Sequence, residues 1–128
     1  MSESHRRPRT FKTAWFAKAA RKAHLTDRDL CAAIREVEQG QADDLGGGVF
    51  KKRLNKNMHR SVILAKIGHY WLYQYLFAKK DRANIEDNEL KAFRLLAKDL
   101  GRTTDADIAR LIAAGHIMEI CDDREAGL

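Results

Sequence analysis

Proline is nearly missing: the sole one, Pro8, lies within the first ten of 128 residues, so nothing downstream carries a proline break. Cysteine is scarce. Cys31 and Cys121 stand far apart with no Cys-x-x-Cys spacing, which speaks against a zinc knuckle, gives no sign of a disulfide scaffold and fits a reducing cytosol. No window approaches the roughly 18 consecutive apolar residues of a membrane span, so no membrane partner is expected. Arg6-Arg7 stands where a twin-arginine export signal would, but Lys12, Lys18, Arg21 and Lys22 interrupt the apolar segment that should follow. An amphipathic organelle presequence is the fallback. The basic start MSESHRRPRT reads instead as a tail over residues 1–9, leading into one domain over residues 10–128. Gly46–Gly48 lacks the closing Gly-Lys-Ser/Thr of a P-loop, so the run marks a turn, a helix stop or a ligand-facing loop.

What the chain does have is charge. Lys+Arg number 24 against 18 Asp+Glu, a formal net charge of +6 that suits a polyanionic partner or an acidic protein. Apolar residues at 45% are enough for one core. Phe11–Thr13 reads as a short strand, followed by a helix in which Trp15, Phe16, Ala19, Ala20 and Ala23 recur opposite Lys18, Arg21 and Lys22. Thr26, with Asp29 three residues on, forms a capping box for a second helix whose stripe of Leu30, Ala33, Ile34 and Val37 ends by Gly40. After the glycines the period becomes extended: Val49–Leu54, Arg60–Ile67 and Tyr70–Lys79 read as three antiparallel strands, the last two joined by a Gly68-His69 turn. Trp71, Tyr73, Tyr75 and Phe77 alternate onto one face. These rings and those of the helices are assigned to the core, because a nucleic-acid stacking face interleaves aromatics with Arg and Lys. A third helix from near Asp87 to Leu100 packs Leu90, Phe93, Leu96, Ala97 and Leu100; a fourth behind Thr104 packs Ile108, Leu111 and Ile112; Ile117–Ile120 adds a short strand. The class is α+β, a small antiparallel sheet packed against two N-terminal helices with further C-terminal helices.

This order, with the stretches LGGGVFKKRL, HRSVILAKIGHYWLYQYLFAKKDRANI and DNELKAFRLLAKDL, resembles the RelE/ParE superfamily of bacterial toxins, closest to the RelE-type branch that includes HigB-like proteins. The most specific pieces are the glycine run with Lys-x-Arg behind it, and Phe-Ala-Lys-x-x-Arg-x-Asn-Ile at Phe77–Ile85. One departure stands out: where relatives often carry a longer Gly/Ser-rich loop, only LNKNMH precedes Arg60. The resemblance implies a RelE-like single domain and a cytoplasmic toxin that enters the ribosomal A site and cuts mRNA. A cognate antitoxin with its own DNA-binding domain would keep it silent. A ParE-like gyrase inhibitor and a non-enzymatic basic RNA-binding domain are the alternatives on the same fold.

Cleavage of this kind has the ribose 2′-hydroxyl attack the adjacent phosphate in line. Something must accept a proton, neutralise the oxyanion-rich transition state and protonate the departing 5′-oxygen. The chemistry needs no metal, and no cofactor is expected. By their motif positions Lys51, Arg60 and Lys79 are the expected catalytic residues, together with His59, which adjoins Arg60. Lys51 is the candidate base, since a lysine crowded by cations yields its proton more readily. Lys52, Arg53, Lys66 and Arg82 are the expected RNA contacts. Lys51, Arg53 and Arg60 are expected on exposed strand edges.

Overall fold

The computed structural model describes residues 7–121, so most of the tail expected over residues 1–9 lies outside the described residues. The elements run β1 (Arg9–Thr13), α1 (Ala14–Lys22), α2 (Asp27–Glu38), β2 (Asp43–Gly46), β3 (Val49–Leu54), β4 (His59–Lys66), β5 (Tyr70–Ala78), α3 (Asp87–Gly101), α4 (Asp105–Ala113) and β6 (Ile117–Ile120). Local chemistry sets the helix starts. The Thr13 hydroxyl accepts from the Phe16 N–H at 3.0 Å. Thr26 and Asp29 exchange bonds of 3.1 and 2.9 Å as the expected capping box, and Thr104 and Asp107 repeat the device at α4.

All six strands belong to one sheet in the order β2-β3-β4-β5-β1-β6. The sheet is larger than expected and is mixed, because β1 runs parallel to β5 from Arg9 opposite Tyr70 to Lys12 opposite Tyr73. Everything from α1 to β4 forms the crossover between those two strands. A strand's alternation reads the same in either direction, which is why the sequence pattern did not reveal the parallel pair. β2 was missed because its DDLG sequence has little strand propensity of its own; pairing with β3 holds it.

Helices cover both faces. On one, Phe16, Ala20, Leu30, Ile34 and Val37 of α1 and α2 pack against Leu54, Ile63, Trp71 and Tyr73. On the other, Ala97, Leu100 and Ile108 of α3 and α4 pack against Phe11, Val49, Val62 and Leu64. Leu96 and Ile112, expected in the core, are instead 42% and 36% exposed. A second correction concerns the aromatic file of β5. Val62 pairs with Tyr75 but Ile63 pairs with Tyr73, so a β-bulge leaves Gln74 unopposed. Trp71 and Tyr73 stay with α1 and α2, while Tyr75 joins Leu90 and Phe93 on the α3 side.

The glycine run makes the β2–β3 turn, with Gly46, Gly47 and Gly48 at φ +85°, +66° and +82°. It also lets α3 come close. Arg94 donates to the Leu45 and Gly46 carbonyls across this turn. A Cβ on Gly48 would lie 3.0 Å from the Ala65 carbonyl oxygen and 3.2 Å from Ala97 Cβ. Gly68 has nearly the same φ, +83°, with open space around it. Gly48→Ala should therefore cost about 2–3 kcal/mol, and Gly68→Ala only the backbone share of about 1–2 kcal/mol. Equal losses in chemical denaturation would show that α3 does not press on the turn.

A disulfide joins Cys31 on α2 to Cys121, just past β6, with Cα atoms 5.4 Å apart. This corrects the reading that the two cysteines give no sign of a disulfide. Spacing in the chain carries no trace of it, because β6 reaches α2 only through its pairing with β1, Thr10 opposite Ile120.

Candidate nucleic-acid interface

Alternation sorts the basic side chains of β3 and β4 between two faces. Lys51 and Arg53 fall on the α3-facing side with Val49, and Arg60 falls there with Val62 and Leu64. Arg53 stands directly opposite Arg60, and Arg60 directly opposite Phe77. The segment from Lys79 to Glu86 folds over the same side: Asn84 Oδ1 accepts from Lys51 Nζ at 3.1 Å, and Arg82 Nη1 reaches the Tyr75 hydroxyl at 3.4 Å.

Arg60 is not on an exposed edge; it is only 8% exposed. The short LNKNMH connection explains this. Asn55, Lys56 and Asn57 all take left-handed backbone angles, φ 54°, 53° and 72°, a tight turn that asparagine tolerates better than lysine. The turn aims backbone carbonyls inward, and Arg60 Nη1 donates to those of Asn57 at 2.9 Å and His59 at 3.2 Å. Among the described residues no carboxylate is ion-paired with it. Lys51 is likewise less open than expected, its side chain 17% exposed and 3.8 Å from Asp43 Oδ2. Arg53 is exposed as expected.

Arg82 is fully engaged. Nη1 lies 3.1 Å from Glu89 Oε2, Nη2 bonds Glu89 Oε1, Nε and Nη2 donate to the Asn84 carbonyl at 3.2 and 3.0 Å, and the guanidinium lies 5.3 Å from the Phe77 ring centre. The bond between them raises the Arg82 pKa and lowers that of Glu89. Glu89 also accepts from the Glu86 N–H at 2.8 Å, so one carboxylate fixes both the start of α3 and the arginine.

The other expected residues lie elsewhere. His59, one residue before Arg60, turns to the opposite side and lines a cleft with Lys22, Ala23, Lys56 and Lys79; its Nδ1 is 3.2 Å from Asn55 Nδ2. Lys52 is paired with Glu36 at 2.8 Å and donates to the Gln41 carbonyl. Lys66 donates to the Thr103 carbonyl at the far end of β4, roughly 20 Å along the strand from Arg60. That far end is neutralised: Arg9 pairs with Glu119 at 2.8 Å and Asp105 at 3.5 Å, and Tyr70 donates to Asp105. Burial and that bond push the Tyr70 phenol up to about 12. The structure thus gathers Lys51, Arg53, Arg60 and Arg82 at one corner, sets His59 and Lys79 in a neighbouring cleft, and leaves Lys52 and Lys66 out of both.

Asn84, Glu89 and Tyr75 were given no role in the site from the sequence. Asn84 sits in the quoted DRANI run and Glu89 three residues after Glu86, so both had a readable position; Tyr75 was hidden by the bulge. A family model described as RelE toxin of the RelE / RelB toxin-antitoxin system matches residues 8–120. The chain belongs to the RelE toxin family. No curated protein and no solved structure matches it. Its RelE match runs from before β1 to the end of β6 and so includes every candidate residue, and membership makes an antitoxin its class of partner. Among the described residues of this RelE-family chain, no helix is long and apolar enough to cross a membrane. No group of three or more His, Cys, Asp or Glu among them is placed to hold a metal.

Proposed function

We propose that the chain is the toxin of a type II toxin–antitoxin system and acts in the cytoplasm as a metal-independent endoribonuclease on mRNA in the ribosomal A site. One observation carries the reading. Arg53 and Arg60 oppose each other directly across a strand pair, where like charges repel. Arg60 is also sunk into the protein without a carboxylate, a cost that a phosphate would relieve. Relatedness to RelE toxins adds support from outside the geometry.

In this mechanism Arg60 and Arg53 hold the scissile phosphate. The 2′-hydroxyl gives up its proton to solvent water and its oxygen bonds to phosphorus as the bond to the 5′-oxygen breaks, and the two guanidinium groups balance the charge on the pentacoordinate phosphorane. Lys51 is a hydrogen-bond donor, held by Asn84, which suits it to protonating the departing 5′-oxygen rather than to the base role expected from sequence. His59 faces away from this phosphate and has no part in the step. Arg82, saturated by Glu89 and Asn84, holds the loop that positions Lys51. We infer that the cognate antitoxin, carrying its own DNA-binding domain, lays an acidic or helical segment over this basic corner.

Primer extension on a translated message tests the reading. Addition of the protein should produce new 5′ ends in phase with codons. DNA breaks or lost supercoiling with messages intact would replace it by gyrase inhibition, and neither effect would leave a basic RNA-binding domain.

A further inference from the structure

We propose that Trp15, stacked on Tyr75, is a base-stacking platform that holds one base of single-stranded RNA next to the arginine corner. The inference takes its ligand from the ribonuclease reading. Trp15 lies in the first turn of α1, one position off the stripe of Phe16, Ala17 and Ala20 that faces the core. It leaves that core and lies over β5, where its ring stacks on Tyr75 with centroids 5.0 Å apart and planes 23° apart. It is nevertheless 51% exposed, against 7% for Trp71, so the stack on Tyr75 leaves much of the side chain open to solvent.

Three features of the surroundings suit a nucleobase. The floor is packed from behind, Tyr75 lying 6.0 Å from Phe77 and 5.9 Å from Phe93 by ring centroids. β1 pairs with β5 only as far as Tyr73, so the strand's last residues border α1 across an open groove of about 560 Å³. The rim is cationic: Lys18, Lys22, Lys80 and Arg82 line the groove, with Asp81 its one acid. A second cleft continues it past Lys22, His59 and Lys80 to Lys56 and Lys79. Rings interleaved with cations, here the lysines above all since Arg82 is held by Glu89, are the arrangement that binds single strands without base-edge readout. Tyr75 is two residues from Phe77, which stands opposite Arg60, roughly 7 Å along the strand. A base on Trp15 thus belongs to a nucleotide at or beside the one whose phosphate Arg60 holds.

A merely structural Trp15 would roof Tyr75, and leucine could do the same; only a platform needs a ring. The test uses the full-length protein and two single-stranded RNA oligonucleotides, 2′-O-methylated to block cleavage, one complete and one with a single abasic residue walked along it. At one abasic position the wild type should lose about 5- to 100-fold in affinity, and only the complete strand should quench the exposed tryptophan. Trp15→Leu should bind both strands equally, at the weaker level, with melting unchanged within a few degrees; Trp15→Phe should recover most of the difference. Trp15→Leu retaining the wild-type preference overturns the platform, as does wild type that ignores every abasic position or binds neither strand at low salt. Base-dependent binding without codon-phased cleavage removes the ribonuclease reading and leaves the platform standing. Cleavage without base dependence does the reverse.

Discussion

Arg60→Ala should lower single-turnover cleavage on programmed ribosomes by about 10²- to 10³-fold, the effect of removing one preorganised donor from a developing oxyanion. It should also cost stability, which an exposed arginine would not. Nη1 satisfies the carbonyls of Asn57 and His59 in a turn of three left-handed residues, and losing a charged donor there should cost about 1–3 kcal/mol. The two effects separate with Arg60→Lys. An ammonium keeps the charge near the turn but cannot present two parallel donors to a phosphate, so most of the stability should return while most of the lost rate does not. Melting curves beside the rates decide between site and scaffold. A folded Arg60→Ala protein that cleaves at the wild-type rate would sink the proposed site, whatever the family.

Most elements could be read in the sequence because their signals are local. The Thr26–Asp29 and Thr104–Asp107 capping boxes stand at the helix starts, and the strands from Val49 to Ala78 follow from alternation and β-branched residues. What could not be read depends on partners distant in sequence. The parallel partnership of β1 with β5, the weak strand β2 and the Cys31–Cys121 bond are all made by tertiary contact.

The same division runs through the site. Motif positions singled out Lys51, Arg53, Arg60 and Arg82, and the fold does gather them. Their state is another matter, because a residue's face and burial depend on what folds over it. His59 and Arg60 are neighbours in the chain and on opposite faces in the sheet. One extra residue at Gln74 moved Tyr75 from the face of Tyr73 to that of Phe93 and so built the floor under Trp15. The glycine run had three readings, and the structure selects the turn, with the approach of Arg94 as the reason that side chains are unwelcome there.

Reduction of Cys31–Cys121 should lower stability by roughly 3–5 kcal/mol, because the bond closes a loop across a sequence separation of 90 residues and so restricts the unfolded chain strongly. For a domain of this size that is a fall in melting temperature of roughly 10–20 °C on adding a dithiol reductant. Cys31→Ser and Cys121→Ser should each melt where the reduced protein does and should no longer respond to the reductant. Activity should behave otherwise. Cys121 follows Ile120, which pairs with Thr10 beside the start of β5, whereas Arg60 pairs with Phe77 near that strand's end. β6 also keeps its ladder to β1 and the Arg9–Glu119 ion pair when the sulfurs part. Below the lower melting temperature, oxidised and reduced protein should therefore cleave at the same rate. The proposed function, on ribosomes in a reducing compartment, would require a site independent of the bond in this way. Melting that ignores the reductant in the wild type would mean that the bond does not form in solution, and a rate that follows the redox state would mean that α2 and β6 reach the site after all.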